Sequence, residues 1–150
     1  MTKSSDPSVH RIRLQGPWEW AVPTPVSTQA WTWTRIRLPD EWGELPALPG
    51  PVWFRRRLNA PTGITPNDQI RVAITTDHRP SQVILNGRIL SALPPSVSDD
   101  PLVIRCDMTS ALAERNLLEI VFANGILPPD LHGGMGRPVV LEIESPPSAS

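Results

Sequence analysis

A chain of 150 residues with a formal net charge of −1 carries no field to draw it to nucleic acid or an anionic membrane surface, and no basic stripe interrupts it. Its 39% hydrophobic and 19% charged residues are a globular balance, and 19 Pro with 9 Gly, under the ~25–30% of disordered chains, point to a folded chain rich in turns. A single cysteine, Cys106, excludes an internal disulfide framework, and His10, His78 and His132 are too scattered to form a metal site with it.

Residues 1–8 form a patternless polar tail, and "MTKSSDPSVHRIRLQG" contains no apolar run of signal-peptide length. No stretch is long and apolar enough to span a membrane as a helix, so the chain is expected to be cytoplasmic with no membrane partner. "VHRIRL" (9–14) then alternates, with Ile12 and Leu14 on one face and Arg11 and Arg13 on the other. "WEWAV" follows the Gly16-Pro17 break. "WTWTRIRL" (31–38) sets Trp31, Trp33, Arg35 and Arg37 on one side and Thr32, Thr34, Ile36 and Leu38 on the other. "VWFRRRLN" (52–59) places Trp53, Arg55 and Arg57 opposite Phe54, Arg56 and Leu58. "QIRVAITT" (69–76) and "SQVILNGRIL" (81–90) come next. In the second, Asn86-Gly87 is the preferred pair for a two-residue type I′ hairpin, because both central residues need positive φ. "VIL" is apolar on both faces, so this hairpin is expected to be covered on both sides. "PLVIRC" (101–106), "NLLEIVFAN" (116–124) and "PVVLEIE" (138–144) complete the set, and 145–150 is a second polar tail. No helical period persists beyond ten residues. One turn is expected at "DMTSALAE" (107–114), capped by Asp107 or Thr109. Eight to nine short strands predict an all-β sandwich or barrel, one domain over 9–144.

Catalytic signatures are missing. There is no G-x-S-x-G, P-loop or dinucleotide fingerprint, and "GGMG" (133–136) leads into a strand rather than a helix. Asp99-Asp100 and Asp40/Glu41 read as solvated turn residues. No cofactor is implied. Arg56, on an apolar strand face, is expected either to pair with Asp107, Glu41 or Asp40 or to reach solvent at a strand end. Two readings stand for Trp31 and Trp33. Indole faces stack on the C–H faces of pyranose rings, with Arg35 supplying hydrogen bonds and the polar loop Asp77, His78 and Arg79 adding more. Against this, a sandwich with two Phe and no Tyr must fill its core with something large, and its tryptophans are first of all core and edge-packing material.

Taken in order, "LQGPWEW" (14–20), "RIRLPDEW" (35–42), "VWFRRRLNAP" (52–61), "DHRPSQVILNGRIL" (77–90) and "CDMTSALAERNLLEIVFAN" (106–124) resemble the N-terminal sugar-binding-like domain of glycoside hydrolase family 2. This is the β-galactosidase, β-glucuronidase and β-mannosidase group. Cys106 stands where that family has Phe, and "SALPPSVSDDPLVIRC" (91–106) replaces its Gly-rich aromatic segment. The resemblance implies a galactose-binding-like jelly-roll β-sandwich of antiparallel strands. The family's catalytic acids belong to a barrel outside the matched region, so it implies a non-catalytic carbohydrate-associated module. The partner is then a glycan or, if Trp31 and Trp33 face a neighbouring protein, a protein partner or a second copy in a homo-oligomer.

Overall fold

The structure, a computed structural model, describes residues 8–23, 31–76, 78–94, 102–126 and 135–146. Within them lie β1 (Ser8–Arg13), β2 (Gly16–Ala21), β3 (Thr34–Leu38), β4 (Val52–Asn59), β5 (Gln69–Thr75), β6 (Gln82–Leu85), β7 (Arg88–Ile89), β8 (Val103–Asp107), β9 (Arg115–Phe122) and β10 (Val140–Ser145). One sheet has the order β1-β10-β5-β8 and the other β3-β2-β4-β9-β6-β7, and every pairing is antiparallel. From β4 onward each connection except the β6–β7 hairpin crosses between sheets. The fold is an all-β sandwich, as the alternating segments predict, with the hairpin segment divided into two strands.

Period-two alternation decides which side chains lie between the layers. β4 buries Val52 and Phe54 while Trp53 and Arg55 face away, and β9 buries Asn116, Leu118, Ile120 and Phe122. Opposite them, Ile70, Val72 and Ile74 of β5 and Leu141 and Ile143 of β10 complete one continuous core. Phe54 sits between Trp42 (centroids 6.1 Å apart) and Phe122 (5.9 Å, edge-on at 88°). Trp18 is fully buried, and its indole Nε1 donates to the Leu14 carbonyl at 2.9 Å, so burial leaves no orphan donor. Cys106 is buried at the position where the resemblance places Phe.

Asn86 (φ 53°) and Gly87 (φ 82°) both lie in the left-handed region, as the type I′ turn requires. Val83, Ile84 and Leu85 are all buried, but Ile89 on edge strand β7 is 64% exposed, so the covering expected of the whole hairpin stops at β6. Two further expectations are corrected. β3 begins at Thr34 rather than Trp31, because the β2–β3 ladder runs only to the Trp20–Thr34 pair. The helical turn expected at 107–114 is reduced to one hydrogen-bonded turn, in which the Ala111 N–H donates to the Met108 carbonyl at 3.0 Å, and no helix forms. Asp107 Oδ1 instead accepts from the Thr109 N–H (3.0 Å) and hydroxyl (2.7 Å), while Thr109 Oγ1 accepts from the Ile70 N–H at 3.0 Å. These side-chain bonds compete with helix formation and tie the connection to β5.

Candidate functional site

The outer face of the six-stranded sheet carries an aromatic and charged cluster. Trp31 and Trp33 precede β3, and each is half-buried rather than core. The Trp31 ring lies 6.0 Å from Trp33, tilted by 40°, and 5.3 Å from Trp53, edge-on at 66°. The Arg55 guanidinium carbon stands 3.8 Å above the Trp33 ring, and Arg55 Nε donates to Glu19 Oε1 at 2.9 Å. The ion pair therefore holds the cation against one face of Trp33. Strand register continues the pattern: Arg35 lies opposite Glu19, Glu19 opposite Arg55, and Arg55 opposite Glu119. Burial pushes the half-buried Glu119 carboxyl up, with the Arg55 charge opposing it.

Trp31 and Trp33 thus lie in a half-exposed cluster with one indole face already covered. Trp53, Arg55 and Glu19 belong to it, although sequence reading did not single them out as site residues. Their one signal was parity: Trp53 and Arg55 repeat the spacing of Trp33 and Arg35. That β2 would lie between β3 and β4 was not written in either segment.

His78 and Arg79 are exposed, and Asp77 lies outside the described residues. Thr76 Oγ1 donates to the His78 carbonyl and accepts from its N–H, both at 3.0 Å. The Ser81 N–H and hydroxyl both donate to the Val121 carbonyl, at 2.7 and 2.9 Å. Val121 is the cross-strand partner of Trp53, so this loop ends at the same end of the six-stranded sheet as the tryptophans. Among the described residues, no hydrogen bond, ion pair or ring contact joins His78 or Arg79 to the cluster.

Of the two expectations for Arg56, the pairing with an acid is overturned. The Arg56 Nη1 donates to the Gln15 carbonyl, its Nε is buried with no hydrogen-bond partner, and burial draws its pKa down. The acids expected to pair with it are engaged elsewhere or exposed. Asp107 holds Thr109, Glu41 Oε1 accepts the Arg37 N–H at 2.7 Å, and Asp40 is exposed. Beside Arg56 an open cleft of about 820 Å³ runs between the β1–β2 corner and the end of β4. Among the described residues no cluster of three or more His, Cys, Asp or Glu is placed to hold a metal, and no helix is long and apolar enough to cross a membrane.

No family model matches the sequence, and no curated protein matches it. Solved structures do. The β-D-glucuronidase of Dictyoglomus thermophilum superimposes with a TM-score of 0.66 at 14% identity, over 96% of this chain and 29% of that one. For the Bacteroides uniformis β-glucuronidase the values are 0.63, 20%, 91% and 18%. For the Bifidobacterium dentium β-glucuronidase, complexed with coumarin-3-O-glucuronide, they are 0.64, 17%, 97% and 31%. The likeness is one of fold. This chain spans a third or less of the length of these enzymes and corresponds to one part of them.

Proposed function

We propose that the chain is a non-catalytic, carbohydrate-associated binding module, equivalent to the N-terminal sandwich of family 2 glycoside hydrolases. The observation that carries this reading is the half-exposed Trp31, Trp33 and Trp53 cluster, bordered by the Arg35–Glu19–Arg55–Glu119 row on the same sheet face. Rings of this kind offer apolar stacking area to a sugar, and the charged row offers donors and acceptors for hydroxyls or a carboxylate. His78 and Arg79 would add polar contacts from the same end of the sheet. The indole N–H resonances are the direct readout. Titration with neutral and uronic-acid oligosaccharides is expected to shift those of Trp31 and Trp33, and Trp33→Ala to abolish the response. Silence of both indoles up to sugar concentrations of ~10 mM, where binding is weaker than about 3 kcal/mol, would remove the proposal. The same purified protein is expected not to turn over chromogenic glycosides.

A second reading is favoured by one feature: Arg55 already occupies a face of Trp33. The cluster then seats another protein surface rather than a sugar. Light scattering separates the two, since this reading requires a homo-oligomer or complex that Trp31→Ala and Trp33→Ala dissolve.

A further inference from the structure

At the opposite end of β4 from Trp53, the open cleft has an unusual lining. Its floor is apolar, built from Leu14 and Leu141, both deeply buried, with Ile12 and Leu58 partly covered beside them. Its cationic groups are Arg56, Arg57 and Arg115, and among the described residues no Asp or Glu lines it. Arg57 lies opposite Leu117 and Arg115 opposite Asn59, which makes the two arginines diagonal neighbours across β4 and β9. Arg56 comes from the other face of β4, in line with Phe54 and Leu58, where alternation calls for an apolar side chain.

No ion pair among the described residues accounts for Arg56. Among the described residues it has no carboxylate partner, one guanidinium nitrogen is spent on the Gln15 carbonyl, and Nε is buried without an acceptor. Leucine or methionine would fill this position without desolvating a cation. Asn116, deeply buried at the same cleft, is uncharged, and its amide is fully satisfied by its neighbours. Among the described residues the cleft therefore presents guanidinium groups without a counter-charge above an apolar floor.

We propose that this cleft is a binding site for a small organic carboxylate with an apolar body. Arg56, Arg57 and Arg115 hold the carboxylate at the mouth, and the body lies on Leu14 and Leu58. Guanidinium suits this task because its planar donors match a carboxylate and stay charged when partly desolvated. The site is separate from the tryptophan cluster and does not depend on the glycan reading.

Calorimetric titration of the purified chain with hexanoate tests it, with hexanamide as the uncharged isostere and acetate as the anion without a body. Hexanoate is expected to bind at least about tenfold more tightly than either, since a charge-assisted bond or a buried apolar body each contributes about that much. Arg56→Met and Arg115→Gln are each expected to weaken hexanoate about tenfold or more. Arg115 is exposed, so its variant keeps the test sharp even if Arg56→Met fails to fold. Amide resonances of Leu58 and Asn116 are expected to move while the tryptophan indole signals stay in place. The proposal is overturned by absent hexanoate binding, by equal binding of hexanamide or acetate, or by unchanged affinity in Arg115→Gln. Shifts confined to the indoles overturn it too.

Discussion

Glu142 shows how one residue's properties are set by neighbours far away in the chain. It stands on the outward face of the central strand β10, yet it is 2% exposed, because arginines from three other strands close over it. Arg71 Nε and Arg105 Nε both donate to Oε1 at 2.8 Å, and Arg11 Nε donates to Oε2 at 3.2 Å. Burial alone pushes the carboxyl up, but the hydrogen bonds and charges of Arg105 and Arg71 outweigh it and hold the group at about 2. A carboxyl depressed in the folded state stabilises the fold above its unfolded value of 4.5, and that contribution is lost as pH falls from there through about 2. Urea unfolding across this window is therefore expected to lose roughly 3 kcal/mol that Glu142→Gln has already forfeited at neutral pH. Parallel pH profiles for the two proteins would remove Glu142 as the source. Gly125 makes a steric case instead. Its φ is +87°, and a Cβ there would fall on the Leu48 carbonyl oxygen and 2.8 Å from the Pro49 carbonyl carbon. Gly125→Ala is expected to destabilise by at least ~2 kcal/mol in thermal and urea unfolding, through strain and through loss of the Leu48–Ile126 bridge.

Among the elements, the β6–β7 hairpin is held by a pair of asparagines. Asn86 Nδ2 donates to Asn116 Oδ1 at 2.9 Å and to the Ala111 carbonyl at 3.1 Å, and Asn86 Oδ1 accepts the Leu117 N–H at 2.9 Å. Asn116 Oδ1 also accepts the Ala113 N–H at 2.8 Å, while its Nδ2 donates to the Ala113 carbonyl at 2.8 Å and to Leu58 at 3.3 Å. Asn116→Ala removes the partner of several of these groups, so a loss of about 1–2 kcal/mol is expected, with faster amide exchange at Asn86 and Leu117. A loss under ~0.5 kcal/mol would mean that water replaces the network. The turn itself was legible, because Asn-Gly between apolar runs specifies local dihedrals. β4 was legible end to end from its alternation. The clamp was not, because its partners lie 30 and 58 residues from Asn116 in the chain. "DMTSALAE" misled for a related reason: Asp107 and Thr109, read as helix caps, bond locally and to β5 instead.

Across the whole molecule, the six tryptophans are divided by a rule that composition could not supply. Trp18 and Trp42 lie within the core, Trp20 packs at its margin, and Trp31, Trp33 and Trp53 gather on the outer face of the larger sheet. The sandwich was readable because alternation is local. The candidate site was only half readable because it forms where β3, β2 and β4 become neighbours. The same topology governs how the molecule comes apart. Every connection from β4 to β10 except the hairpin crosses between sheets, and the side chains between them form a single cluster, so neither sheet has an apolar face that it can cover alone. Unfolding is then expected to be one cooperative event. Cys106 on β8 in the smaller sheet provides an independent probe, since it is 2% exposed and burial pushes its thiol up to about 11. At pH 8 the thiol is expected to react with a disulfide reagent only through global opening. Its labelling midpoint in urea is then expected to coincide with those of tryptophan fluorescence and far-ultraviolet circular dichroism. Labelling that completes at lower urea than the fluorescence change would show the smaller sheet opening by itself, against a single core shared by both layers.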